Sequence, residues 1–232
     1  MSKLELFHGS DHVVEKPDYA LGKPYNDYGV GFYCTDSFEL AGEWACKRGA
    51  DGFVNKYWLD LEGLKILDLC DGTHNVLEWI ALLLKNRSFR LNGELAKEVR
   101  AYMIENYAPN VARYDIVRGY RADDSYFQYA ETFVENGLSL ASLESAMHLG
   151  NLGTQTVLVS KRAFKRISFM ESMLVFRDEY YPRYIKRDGE ARTQYSTSIK
   201  GSRTLMNDIF ALDILREEMK LDDERIQRIV SK

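Results

Sequence analysis

Two segments early in the chain carry residue types that suit the binding of a small ligand. His8-Gly9-Ser10 follows the apolar run Leu4 to Phe7, which predicts a strand that delivers the histidine to a turn. A glycine at a strand end lets a ligand approach the backbone closely. A lone histidine is more often a satisfied polar group or a surface residue. A functional role for His8 therefore needs the support of Gly9 and of other segments.

The second segment is Gly29 to Asp36, which reads Gly-Val-Gly-Phe-Tyr-Cys-Thr-Asp and predicts a strand after a bend. A capped helix with Ala41 and Trp44 is expected to follow it. A purely structural interpretation is available, in which the glycines form the bend and the aromatic side chains fill the core. The Gly-x-Gly pair is not a dinucleotide fingerprint, because the third glycine and the preceding strand are missing.

These segments and a late strand resemble the catalytic domain of the poly- and mono-ADP-ribosyltransferases of the diphtheria-toxin type. The first motif of that family, His-Gly-Ser or His-Gly-Thr at a strand end, matches residues 8–10. The second, a glycine pair followed in register by tyrosine, aspartate and a helical aromatic residue, matches residues 29–36 and Trp44. The third is a glutamate or a substitute at the start of a late strand, and Gln155 occupies that place.

The resemblance spans residues 4 to about 170, with a large insertion between the second and third motifs. It extends to a bacterial family of proteins of unknown function that shares a Gly-x-x-Ala-Asp-Asp segment, here residues 119–124. The fold that it implies is α+β, with a split antiparallel β-sheet core of the ADP-ribosyltransferase type and with inserted and flanking helices.

The resemblance also implies NAD as co-substrate and assigns a role to each motif residue. His8, Tyr33 and Gln155 would be catalytic, and Gln155 would bond the nicotinamide-ribose hydroxyl. Cleavage of the bond between nicotinamide and ribose passes through an oxocarbenium-like state, so the site must orient its substrate and stabilise charge. The other residues implied to contact NAD are Gly9, through its backbone to the carboxamide, Ser10 at a ribose hydroxyl, Gly31, and Trp44 against the nicotinamide ring.

Two departures from the family pattern limit the expected activity. Ala41 stands where many relatives have a serine that bonds the carboxamide, a contact worth about 1 kcal/mol. Gln155 replaces glutamate and cannot supply negative charge, so chain elongation is not expected. The expectation is a mono-ADP-ribosyltransferase, in the glycosyltransferase class, that modifies a protein or nucleic acid.

Alternative functions stay open at this point. One is a catalytically inactive module that binds NAD or ADP-ribose. Another is an RNA-processing enzyme of the same fold that uses NAD to remove a phosphate, but the pattern around His12 does not match that class. A transferase of this type would fit a bacterial toxin or effector, for which an antitoxin or immunity protein would be a partner.

Further charged residues are candidates for supporting roles. Asp123 and Asp124 either cap a helix or line the acceptor side of the NAD site, where one would take the general-base or orienting role that Gln155 cannot fill. Arg118 and Arg121 could contact the pyrophosphate or form surface ion pairs. Residues 180–204 mix basic and aromatic side chains, which is typical of a solvated loop and also suits an acceptor-binding segment.

Local patterns predict the order of the remaining elements. Residues 53–61 and 64–69 are expected as two strands that pair with each other, followed by helices at 74–86 and 93–107. A strand at 114–120 and helices through 136 and over 139–149 come next. Further elements are a strand at 155–159, a short helix at 161–167 and a helical C-terminal part from 205.

Composition places the chain among ordinary globular proteins. It has 232 residues, 45% hydrophobic residues and a net charge of −4, which disfavours a general nucleic-acid coat. Neither a membrane span nor a secretory signal is evident, and the three cysteines show no paired spacing, so a cytoplasmic protein without structural metal is expected. Residues 1–176 are expected to form the NAD-binding domain, with a helical insertion at about 74–107, and residues 177–232 a basic, tyrosine-rich segment with a C-terminal helix.

Overall fold

The computed structural model describes residues 3–121, 124–149, 153–201 and 208–230, within which it is a mixed α+β structure. The chain forms two compact units. The first comprises Met1–Cys70, Asn110–Arg121 and Leu152–Arg187. The second comprises the remaining ranges, Asp71–Pro109, Ala122–Asn151 and Asp188–Lys232. The boundary at residue 176 divides the sequence at one point, whereas each compact unit combines several segments of the chain. That boundary stays a prediction.

The first unit is built on two sheets. Strands β1 (Lys3–Ser10), β3 (Gly52–Asp60) and β7 (Ile167–Val175) form an antiparallel sheet in the order β1-β3-β7. Strands β2 (Phe32–Cys34), β4 (Ile66–Asp68), β5 (Ile116–Tyr120) and β6 (Thr154–Leu158) form the second, in the order β2-β6-β5-β4. All the pairs in the second sheet are antiparallel except β4 with β5, which is parallel.

The two sheets meet where β1 passes the end of β2. Phe7 N donates to Thr35 O at 2.8 Å, and Thr35 N donates to Phe7 O at 2.9 Å. Leu6, Cys34 and Leu158 are buried in the core beside this bridge, so apolar packing surrounds the paired backbone groups. The bridge brings the end of the first motif beside the strand that carries the second.

Helix α1 (Phe38–Cys46) packs on the β1-β3-β7 sheet of the first unit. Ser37 begins the helix, because its hydroxyl accepts a hydrogen bond from Leu40 N at 3.2 Å. Ala41 and Ala45 are buried against Phe7 and Val54 of the sheet. The small alanines allow α1 to lie close to the end of β1.

Two predictions for strands of the first unit are wrong. The strand at 64–69 was expected to pair with the one before it, but β4 pairs with β5 in the other sheet. The predicted helix from 161 to 167 ends earlier, as α6 (Lys161–Phe164), and β7 follows as a strand that the sequence did not predict. β7 lies at a sheet edge and exposes several side chains, so its apolar pattern is weak.

The second unit is helical in its described residues. Its helices include α2 (Val76–Asn86), α3 (Gly93–Tyr107), α4 (Asp124–Val134) and α5 (Leu140–Leu149), all close to their predicted bounds. Asn75 begins α2 with a reciprocal capping arrangement, in which its side chain accepts from the backbone and Glu78 bonds back to the Asn75 N–H. Eight of the eleven α2 residues are buried, so this helix forms the centre of the unit.

The tyrosine-rich segment is a helix, not the solvated loop that its composition favours. α7 runs over Arg177–Gly201, and its residues up to Arg187 belong to the first unit. Arg187 bonds both carboxylate oxygens of the buried Glu43 on α1, at 2.8 and 2.9 Å. This ion pair adds to the apolar packing of Tyr180, which is buried in the core beside Ala41 and Ala45. The C-terminal part contains α8 (Ala211–Arg216) and α9 (Glu224–Val230), as the helical pattern predicts.

Candidate functional site

His8 lies at the end of β1, in contact with the neighbouring strand β2. Its Nδ1 is 2.7 Å from Tyr33 O. A carbonyl oxygen only accepts, so Nδ1 must donate, and the neutral ring then keeps Nε2 as an acceptor. Burial lowers the pKa of His8, more than its bond to Tyr33 O raises it. The lowered pKa favours the neutral ring, in which Nε2 is a hydrogen-bond acceptor. The ring also packs against Phe32, with ring centroids 4.5 Å apart.

Gly9 on β1 lies directly against the backbone of α1. A Cβ added there would overlap the carbonyl oxygen of Ala41 and lie 2.8 Å from Ala45 N. The glycine is thus required by the helix packing, whether or not a ligand also uses its backbone. Ser10 donates its hydroxyl to His12 O at 2.6 Å, so its proton bonds the loop that follows β1.

Asn55 holds this end of β1 and was not singled out in the sequence. Its side chain is fully buried, Nδ2 donates to Ser10 Oγ at 2.9 Å, and Oδ1 accepts from Val14 N at 2.9 Å. Longer contacts join Nδ2 to the carbonyl oxygens of His8 and His12, at 3.3 and 3.4 Å. One amide therefore bonds the first motif and the segment that follows it. Asn55 and Lys56 are adjacent polar residues within the strand, so the sequence does not distinguish the buried amide from an exposed side chain.

Tyr33 is half-buried and its hydroxyl bonds the loop before β2. The hydroxyl donates to Gly29 O at 2.8 Å and accepts from Tyr28 N at 3.0 Å. Tyr28 is buried, and its own hydroxyl donates to Tyr120 O at 2.7 Å, which attaches the loop to β5 as well. The loop between residues 26 and 30 is therefore held from two strands of the second sheet.

Gln155 lies on β6, next to β5, and bonds the same loop. It is 5% exposed, and its Nε2 donates to Asp27 Oδ2 at 2.9 Å. Asp27 is itself 7% exposed, so the pair is shielded from water. The three predicted catalytic residues are thus joined: His8 bonds the backbone of Tyr33, and Tyr33 and Gln155 both bond residues 27–29. Asp27 was missed in the sequence because it resembles an ordinary turn residue.

The other predicted contact residues lie around this group in different ways. Trp44 is half-buried on α1, and the guanidinium of Arg121 lies 5.5 Å from its ring centre. Gly31 packs against β6, since a Cβ there would lie 2.6 Å from Val157 Cγ1. Arg118 forms surface ion pairs, 3.8 Å from an Asp36 oxygen and 3.6 Å from an Asp68 oxygen.

Two residue groups remain to be placed: the predicted pair Asp123 and Asp124, and the buried Cys34. Asp123 lies outside the described residues, and Asp124 begins α4 with its side chain likewise outside the description, so their roles stay predictions. Burial raises the pKa of Cys34 well above its ordinary value, which makes it a poor nucleophile. In the described part of the chain, no three His, Cys, Asp or Glu side chains cluster in a way that could hold a metal ion.

A family model covers most of the chain, including the three motif residues. It matches residues 4–169 and is described as a protein of unknown function (DUF3990). The chain belongs to the DUF3990 family. This confirms the expected membership of a family of unknown function. The likeness of this chain to ADP-ribosyltransferases stays a resemblance on motifs. No curated protein and no solved structure matches the chain.

The DUF3990 match contains every element that bears the candidate site, from β1 through β6. It ends within β7, before α7 begins. Across the described ranges, none of the helices has the length and apolar character needed to cross a bilayer.

Proposed function

We propose that this DUF3990 protein is an NAD-dependent mono-ADP-ribosyltransferase that modifies a protein or nucleic acid. The observation that carries the proposal is the hydrogen-bonded series from His8 through Tyr33 to the loop that bonds Gln155. Residues far apart in sequence are joined there in the order that the resemblance implies.

The chemistry of the site agrees with substrate orientation more than with nucleophilic attack by the protein. Neutral His8 offers Nε2 as an acceptor for a ribose hydroxyl, and Gln155 offers an amide to the nicotinamide ribose. In the proposed reaction the C–N bond to nicotinamide breaks, the electron pair leaves with nicotinamide, and an acceptor attacks the ribose carbon and loses its proton. Orientation and charge stabilisation supply most of the rate in such a step.

The alternative is a module that binds NAD without turnover. Ala41 favours it, because this buried residue offers no hydroxyl to the carboxamide. Both functions require NAD binding, and only the transferase releases nicotinamide. A toxin or effector role, with an antitoxin or immunity protein as partner, would follow only from the transferase.

The test combines NAD binding, nicotinamide release and transfer of label to a cell lysate. The wild-type protein should bind NAD in calorimetry, release nicotinamide and label an acceptor from NAD labelled in the ADP-ribose part. Tyr33→Ala should abolish both nicotinamide release and labelling, whereas Tyr184→Ala on α7 should leave nicotinamide release unchanged. Melting curves of both variants separate loss of the site from loss of the fold. Binding without release would favour the inactive module, and a lack of both would refute the proposal.

A further inference from the structure

The hydrogen bond between Gln155 and Asp27 fixes the direction of a side-chain amide. A free glutamine can present either its oxygen or its nitrogen to a ligand, because the two ends have the same shape. A carboxylate only accepts, so Asp27 Oδ2 at 2.9 Å selects Nε2 as its partner. Both side chains are more than nine-tenths buried, which strengthens the selection because water does not compete for either group.

We propose that Asp27 is a positioning residue, whose carboxylate holds Gln155 Nε2 so that Gln155 Oε1 accepts a hydrogen bond from the nicotinamide-ribose hydroxyl of NAD. This inference rests on the proposed function and deepens it. Asp27 acts through Gln155 and is not itself a catalytic residue.

The loop that carries Asp27 is suited to this role because it is fixed from several sides. Tyr33 donates to Gly29 O, Tyr28 N donates back to the Tyr33 hydroxyl, and the Tyr28 hydroxyl donates to Tyr120 O. The carboxylate next to Tyr28 therefore has a defined place. The pair also keeps a negative charge one hydrogen bond away from position 155, where glutamate carries it directly in the family that the motifs resemble.

The first variant is Asp27→Asn, which keeps the shape and removes the charge and the amide selection. We expect the kcat for nicotinamide release to fall by about 10- to 100-fold, the loss of one hydrogen bond with a charged partner, while KM changes little. Asp18→Asn is the matched control, an exposed acid earlier in the same connecting segment, and should leave both constants unchanged.

A reciprocal exchange separates positioning from simple loss of structure. Gln155→Glu alone places two carboxylates side by side, so we expect a lower melting temperature and no gain in rate. The double variant Asp27→Asn/Gln155→Glu restores a donor facing a carboxylate with the charge moved to position 155. It should recover the kcat lost in Asp27→Asn. A merely structural defect at residue 27 would not be rescued in this way.

An NAD analogue that lacks the 2-hydroxyl of the nicotinamide ribose tests the geometry directly. Wild type should lose much of its kcat on this analogue, and Asp27→Asn should lose little more than it already has, because both changes break the same bond. An active wild type with an equally active Asp27→Asn variant, equally sensitive to the analogue, would overturn this inference and leave the transferase in place. A wild type that neither binds NAD nor releases nicotinamide would overturn both.

Discussion

Truncating Asn55 should loosen the end of β1 that carries the first motif. Asn55→Ala removes the hydrogen bonds to Ser10 Oγ and Val14 N and leaves a cavity in a fully buried place. A buried donor without a partner costs about 1–3 kcal/mol, and the lost bond to Ser10 adds about 1 kcal/mol, so we expect a destabilisation of about 2–4 kcal/mol. For a chain of this size that corresponds to a fall of roughly 5–15 °C in the melting temperature.

The assay is thermal unfolding followed by near-ultraviolet circular dichroism, together with NAD binding by calorimetry. Asn110→Ala is the matched control, because Asn110 is exposed and its side chain accepts one hydrogen bond, from Ala112 N at 3.2 Å. We expect the control to lose less than about 1 kcal/mol. If Asn55→Ala melted with the control, the claim that Asn55 fixes the first motif would be refuted.

Three further changes test other contacts of the first unit. Gly9→Ala should destabilise the protein by about 1–3 kcal/mol in urea unfolding, because its Cβ would overlap α1. The control Gly189→Ala has open space on α7 and should be neutral or stabilising, so equal effects of the two variants would contradict this packing. Desolvation lowers the pKa of His8, so as the pH falls below about 6.5 the unfolded chain takes up a proton that the folded chain resists, and stability decreases. His8→Gln should flatten that decrease between about pH 7 and pH 5, and an unchanged slope would argue against a desolvated neutral ring. Glu43→Gln weakens the ion pair with the half-buried Arg187 and should lower the free energy of unfolding by about 1–3 kcal/mol in the same assay. A change near zero would mean that α7 is held by other contacts.

The sequence predicts local elements of this protein well where apolar periodicity is strong. The helices α2 and α3 and the strand β3 lie near their predicted bounds, since α2 is largely buried and α3 and β3 each bury a regular face. The expected turn at His8-Gly9-Ser10 is wrong, because β1 continues through Ser10 and pairs with β3 there. Partner choice is different, because it depends on residues far away. β4 follows β3 directly, yet pairs in parallel with β5, and no local pattern shows that preference.

The remaining errors have particular physical causes. β7 is an edge strand with Glu171 and Ser172 in its middle, so it lacks a clear alternation. α7 is rich in polar residues and has few buried apolar positions, such as Tyr180, so composition alone does not distinguish it from a solvated loop. The ion pair of Arg187 with Glu43 also holds it, and that contact depends on a residue far away in the chain.

In the candidate site, the motif residues could be predicted from the sequence, but the residues that hold them in place could not. His8, Tyr33 and Gln155 could be chosen from the sequence because they stand in a known order. Asp27 and Asn55, which bond them or their neighbours, could not, because each contact spans a long stretch of chain and depends on burial.

The most direct test of the account is the release of nicotinamide from NAD by the purified protein. Chromatography of the reaction mixture should show nicotinamide formed well above the buffer rate by the wild type and by Tyr184→Ala. The same assay should show none above buffer with Tyr33→Ala, if that variant melts as a folded protein. If the wild type formed no nicotinamide and calorimetry showed no NAD binding, the proposed NAD site would be contradicted.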